Sequence, residues 1–295
     1  MKIAVFTKNR SNPAYFAARL GADRAAAVFG DEVTHYVPDS PDDPAQQSAL
    51  IDAALATRPD AFVLSPVRPT AVNAALGRIR EAGIPLFAFV DLVQCMPMTG
   101  YVGADDSQMA TRVAGHLLRR IEGRGQVLLV GGHTHSITSI ARMSAFEAAV
   151  RAMPEVEVVG YLHGDYQRET ARTAVAAWLR AHATGPHGVL VANDIMALGV
   201  LEALEASGRR SLVVGVNAIP EAVAAIRSGR MLATADFNAM QMAYTATECT
   251  CRFLRGESVP HSIELTVEIV DAGNCAAWDR PYAQRSVKTL AQLMP

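Results

Sequence analysis

A chain of 295 residues has room for two domains of ordinary size. Half of its residues are hydrophobic, which supports sizeable cores, and a formal charge of −2 without a basic cluster argues against nucleic acid as a partner. No apolar run approaches the ~20 residues needed to span a bilayer, so membrane insertion is not expected.

Met1 leads straight into an apolar strand, Ile3 to Phe6, with no signal peptide between them. A cytoplasmic protein and a mature secreted form with an added methionine are both compatible with that start. Asn12-Pro13 then opens a helix with proline at its first position, and Gly30 lies beyond its end. Strands are expected at 33–37, 61–64 and 86–90, with helices over 45–56 and 70–81 and a short extended piece at Tyr101-Val102-Gly103. A helix follows at 107–121. The same alternation restarts with strands at 126–130 and 156–161 and helices at 139–151 and 169–182.

Residues 187–217 form the clearest unit. Gly188 to Ala192 suits a strand buried on both faces, and Asn193-Asp194 offers N-cap oxygens. Leu198, Leu201 and Leu204 mark a helical face, and Ser211 to Val216 is a second buried strand. A helix at 220–228, a strand at 232–235, a helix at 240–254 and a last strand at 263–270 complete the chain. This alternation predicts an α/β fold of two doubly wound lobes, each with a parallel sheet. Ligands of such sheets bind beyond the carboxyl ends of the strands, so the expected site is a cleft between two sets of strand ends.

Polar residues recur at that edge. Lobe one supplies Asn12, Tyr15, Ser65, Asp91 and Asp105, and lobe two supplies Arg142, Tyr166, Asn193 and Asn217. Carboxylate, amide and guanidinium groups together offer the donors and acceptors that a hydroxyl-rich ligand needs, and tyrosine faces can cover the apolar side of a sugar ring. Any one of these residues alone fits turn or cap chemistry; Asn12, for example, is a good N-cap. Recurrence in both halves raises the binding reading.

Enzyme signatures are weak. Residues 7–12 read TKNRSN without the glycines of a dinucleotide loop, and neither a phosphate-cradling loop nor a nucleophile elbow occurs. His133 and His135 in the GGHTH stretch lack a third metal ligand with clear spacing, so a loop is expected there and no metal or cofactor. Cys95, Cys249, Cys251 and Cys275 form no zinc-type pair of pairs and read as structural thiols.

Four stretches resemble one family. VANDIMALGVLEAL (191–204) looks like its QNDEMALGALRAL stretch, and VVGVNAIPEAVAAIRSGRMLAT (213–234) is similar to its VVGFDGTPDG stretch. SNPAYF (11–16) resembles NNPFF, and YVGADDSQMATRVAGHLL (101–118) resembles the family's VGTDN segment. The chain thus resembles the periplasmic sugar-binding proteins of ABC transporters, of the ribose and galactose type. The related lac-repressor-type regulators are disfavoured by the lack of a helix-turn-helix ahead of the first strand.

The resemblance implies the type 1 periplasmic binding protein fold: two lobes joined by a three-crossing hinge near residues 105, 237 and 270. Lobe one would hold 1–104 and 238–269, and lobe two 105–237 and 270–295, with Trp278 near the hinge or lobe two. It also implies a monomeric, non-enzymatic, periplasmic receptor without cofactor. Such a receptor captures a monosaccharide or polyol, closes over it by hinge motion and delivers it to an ABC transporter permease. A sugar-sensing protein, cytoplasmic or paired with a sensor kinase, is the alternative.

The ligand residues implied are Asn12, Tyr15, Ser65, Asp91, Asp105, Arg142, Tyr166, Asn193 and Asn217, with a last contact near Phe237 or Asn238. Asp91 and Arg142 would face one ligand from opposite lobes. Three positions depart from the pattern: Leu92 replaces an arginine, Ala14 an aromatic ring, and Asn217 an aspartate. These departures favour a small polyol, a deoxysugar or a furanose, unless Lys8, Arg10 or Asn238 refill the lost contacts for an ordinary hexose.

Overall fold

Short apolar runs bounded by turn residues form the middle of each sheet. A computed structural model describes residues 1–68, 70–93 and 96–294. In chain order these residues form β1 (Lys2–Phe6), α1 (Pro13–Phe29), β2 (Glu32–Tyr36), α2 (Pro44–Ala56), β3 (Ala61–Leu64), α3 (Asn73–Glu81), β4 (Leu86–Phe89) and β5 (Gly100–Gly103). The second stretch holds α4 (Asp106–Arg120), β6 (Arg124–Gly131), α5 (Ile137–Arg151), β7 (Glu155–His163), α6 (Arg168–Ala181) and β8 (Gly188–Val191). It continues with α7 (Asp194–Ala206), β9 (Leu212–Val216), α8 (Pro220–Arg227) and β10 (Ala233–Asp236). Last come α9 (Ala239–Phe253), β11 (Ser262–Glu264), β12 (Glu268–Asp271) and α10 (Leu290–Leu293).

The chain divides into two units. Unit 1 holds Met1–Ala104, Asn238–Leu265 and the segment from Tyr282 on; unit 2 holds Asp105–Phe237 and Thr266–Pro281. The sheet of unit 1 runs β11-β5-β4-β3-β1-β2 with every neighbour parallel. Its central strands β3 and β4 are buried at every residue, as strands covered by helices on both faces must be. The sheet of unit 2 runs β12-β10-β9-β8-β6-β7. It is parallel except at its edge, where β12 runs antiparallel to β10. Strand order reverses between β1 and β3 in one sheet and between β6 and β8 in the other. Those two reversals are the topological switch points where α/β sheets bind ligands. No helix among the described residues is long and apolar enough to cross a membrane.

Three expectations need correcting. The strand expected over 263–270 is two strands: Ile263 pairs with Val102 in unit 1, and Val270 pairs with Thr234 in unit 2. One apolar run suits either sheet, and the chain changes unit at Leu265–Thr266 inside it. The second sheet is therefore mixed, because its last strand enters from the other unit.

The tail, expected wholly in lobe two, also divides. Trp278 stays in unit 2, its indole donating to the Asp236 carboxylate at 2.9 Å. Residues from Tyr282 on return to unit 1, a fourth crossing. There the Gln241 side chain donates to the Lys288 carbonyl and accepts from the Lys288 amide, both at 2.7 Å. Glu248 accepts from the Leu290 amide at 2.8 Å, and Arg24 donates to the Arg285 carbonyl at 2.8 Å. Polar side chains of α1 and α9 thus supply hydrogen bonds that a free tail would take from water. Cys249, Cys251 and Cys275 are free thiols in buried positions, and Cys95 lies outside the described residues.

Candidate functional site

In unit 1 the chain leaves β1 at the switch point and places Lys8 in a buried position beyond the strand end. Its ammonium forms an ion pair with Asp91, at the end of β4. Burial opposes the lysine charge, but Asp91 overrides it and holds the ammonium charged, well above the usual lysine range. Tyr15, in the first turn of α1, stands beside both groups, and its phenol is pushed up by burial. Ser65, just past β3, is wholly buried next to that phenol. Val90, immediately before Asp91, has φ 71°, a left-handed conformation that a β-branched residue adopts only under constraint. The Tyr101 hydroxyl secures that turn, donating to the Val90 carbonyl at 2.8 Å.

In unit 2 the centre is Arg142, on the second turn of α5 and only 2% exposed. Its Nε and Nη2 bond Asp106 at 2.8 and 2.7 Å, and its Nη1 donates to the Ala192 carbonyl at 2.7 Å, at the end of β8. The guanidinium lies over the Phe237 ring, 5.4 Å from its centroid. Tyr166 follows β7 in a left-handed turn with Asp165 (φ 57° and 50°). Its ring meets His133 edge-on, and its hydroxyl lies 3.4 Å from the Ser136 hydroxyl. A methyl at Gly132 would come within 2.3 Å of that ring, so only glycine lets Tyr166 sit there.

Most of the expected residues gather in these two sets, and some serve the backbone. Tyr15, Ser65 and Asp91 come together around Lys8. Asn193 and Arg142 are joined through the Ala192 carbonyl, and Asn217 begins a left-handed stretch with Ala218 beyond β9 (φ 134° and 51°). Asn12, Asp105, Asn193 and Asn238 are N-caps whose side chains accept from the Ala14, Ser107, Met196 and Gln241 amides. Asp105 and Asn238 are exposed, and Asp105, grouped with the polar residues of lobe one, begins unit 2, where the expected boundary of lobe two lies.

Asp106, rather than its neighbour Asp105, holds the arginine. Ala14 is buried, whereas Phe16 in the same helix is 55% exposed. Sequence reasoning named Lys8 only as a possible substitute contact and missed Asp106 and Ser136. The one signal for Lys8 is its place two residues past a buried strand, where a charge needs a partner. His133 lies 3.4 Å from Asp165, and no group of three ligating side chains among the described residues could hold a metal ion.

Both units therefore present a charged pair, further polar groups and an aromatic ring at the switch point of a doubly wound sheet. Comparisons with known proteins agree on what such a chain resembles. Residues 3–258 match the family model described as a periplasmic binding protein domain. The chain is 24% identical to a xylitol-binding protein of Mycolicibacterium smegmatis over 65% of this chain and 55% of that protein. It is 26% identical to a D-ribose/D-allose-binding protein of Pseudomonas aeruginosa, over 92% of this chain and 89% of that one. Among solved structures, an ABC transporter solute binding protein from Mycobacterium smegmatis with bound glycerol superposes with a TM-score of 0.86 at 28% identity. That match covers 94% of this chain and 96% of that one. With a family model spanning most of its length, this chain belongs to the periplasmic binding protein domain family.

Proposed function

We propose that this protein is a non-enzymatic solute receptor of the periplasm that binds an uncharged sugar or polyol and delivers it to an ABC transporter permease. The observation that carries the reading is the pair of charge-compensated sets at the two switch points. Lys8 with Asp91, and Arg142 with Asp106, present donors and acceptors while leaving little net charge for an acidic ligand. Tyr15 and Tyr166 add apolar faces, and the buried Ser65 hydroxyl, beside the Tyr15 phenol, adds a polar group. Both sets would serve the same ligand, the unit 1 set through Asn12, Tyr15, Ser65 and Asp91 and the unit 2 set through Arg142, Tyr166, Asn193 and Asn217. Asp105 and Asn238 would act mainly as caps. The names of the relatives, which bind xylitol, ribose and allose, support the ligand class. The receptor would act as a monomer and without a cofactor.

Lys8 bears on which sugar is held. It supplies beside Asp91 the cation that Leu92 lacks, so the departures from the family pattern are partly refilled. The remaining losses, Ala14 and Asn217, still favour a small or flexible polyhydroxylated ligand. A thermal-shift panel of aldoses, ketoses, deoxysugars and polyols tests this, because a ligand that binds only the native state raises its melting temperature. The expected result is a shift with at least one polyol or pentose, and a Kd near micromolar, about −8 kcal/mol, by calorimetry. No shift with any member overturns the receptor reading, and turnover of a bound sugar contradicts its non-enzymatic part.

A further inference from the structure

The loop between β1 and α1, residues 7–12, carries Lys8 and Asn12, yet it lies in neither a strand nor a helix. Its backbone groups find their partners on neighbouring elements instead. The Thr7 amide donates to the Tyr36 carbonyl at 3.3 Å, and the Lys8 carbonyl accepts from the Asp42 amide at 3.2 Å. Arg19 of α1 donates to the Thr7 hydroxyl at 2.9 Å. At the centre is Asn9, only 5% exposed. Its Oδ1 accepts from the Asn12 amide at 2.9 Å, and its Nδ2 donates to the two carboxylate oxygens of Asp42 at 3.3 and 3.4 Å. The Asn12 N–H can only donate, so the oxygen of Asn9 must face it and the NH2 must face Asp42.

Asp42 lies in the loop between β2 and α2 with a left-handed backbone (φ 58°), a conformation that aspartate tolerates better than most residues. It holds the 7–12 loop twice, by its amide at Lys8 and by its carboxylate at Asn9. Asn12 passes the constraint on, since its side chain caps α1 through the Ala14 amide at 3.0 Å, one residue before Tyr15. We propose that Asn9 is a positioning residue for ligand binding: held by Asp42, it fixes ahead of the ligand the loop that presents Lys8 and Asn12. A loop ordered in advance spares the ligand the entropic cost of ordering it. The proposal rests on the solute-receptor reading, in which Asn12 and Tyr15 touch the ligand, and Asn9 acts through Asn12.

The arrangement predicts a specific rescue. Asn9→Asp keeps the acceptor for the Asn12 amide but sets two carboxylates against each other. Adding Asp42→Asn restores a donor between them, reverses the direction of that bond and returns the net charge to that of the parent. Two measurements test this, the first without ligand. Exchange of the Asn12 amide proton, followed by NMR, should speed up about tenfold in Asn9→Ala, the effect of one lost hydrogen bond, and return to about the parent rate in the double variant. The second is calorimetry with xylitol and D-ribose as probes, at a temperature where circular dichroism shows every variant folded. Asn9→Ala and Asn9→Asp should each bind about tenfold more weakly, and the double variant within threefold of the parent. A merely structural Asn9 would lower the melting temperature and leave the affinity of the folded protein within threefold. That result overturns the proposal, as does an Asn12 amide that exchanges no faster in Asn9→Ala or a double variant that binds no better than Asn9→Asp. If neither probe binds the parent, the receptor reading is what fails, and exchange of the Asn12 amide decides whether Asn9 holds the loop.

Discussion

Lys8 and Arg142 show how each ligand set is held at the level of single side chains. Each cation is buried against a carboxylate of its own unit, so removing one partner leaves a charge in a poorly solvated place. Lys8→Met should cost about 3–5 kcal/mol of stability, because Asp91 is then buried without its cation. Adding Asp91→Leu should recover most of that loss, since an apolar pair has no charge to desolvate. Urea denaturation of the two variants checks this; equal stabilities would show that the pair does not matter to the fold. Arg142→Ala should lose about 2–4 kcal/mol of ligand affinity by calorimetry, on the scale of truncated buried charged bonds. Its fold should suffer less, because Asp106 keeps some exposure to water. Binding within threefold of the parent would remove Arg142 from the site.

At the scale of elements, α7 is governed by both of its first residues. Asn193 caps it through the Met196 amide, and Asp194 ties it to β10 and α8. Burial raises the Asp194 carboxyl from 3.8 to about 7, and that shift has a sign for stability. A carboxyl whose folded pKa lies above its unfolded value favours folding in its protonated form. Its contribution is complete below about pH 4, declines as pH rises towards 7, and is flat above. At about 1.4 kcal/mol per unit, the swing is on the order of 4 kcal/mol. The urea midpoint of the wild type should therefore fall between pH 5 and pH 8, and that of Asp194→Asn should change much less over the same range. A wild type as steady as the variant would show that the carboxyl stays ionised throughout.

For the whole molecule, the path of the chain matters as much as its elements. It changes unit after Ala104, Phe237, Leu265 and Pro281, and the last change returns the tail to α1 and α9 of unit 1. Truncation after Pro281 would leave the Gln241 amide and the nearly buried Glu248 without their tail partners. Each such loss costs about 1–3 kcal/mol when the group stays buried, so the melting temperature should drop by several degrees in calorimetry. An unchanged transition would mean that the tail contributes nothing to unit 1.

What the sequence determined by itself is whatever is encoded over a few residues. Buried strands such as 61–64, the proline-started helix behind Asn12, and the cap at Asn193 follow from local periodicity and capping chemistry. The alternation of these elements also implied two doubly wound sheets, and with them the edge at which polar residues collect. Tertiary structure decided the rest. The run 263–270 reads as one strand because apolarity does not say which sheet a strand joins; only pairing with Val102 or Thr234 divides it. Lys8 meets Asp91, and Asp194 meets Thr234, because strand order brings their elements together. Pattern along the chain reveals which residues turn inward, but the partner of a buried charge depends on which strand ends become neighbours in space.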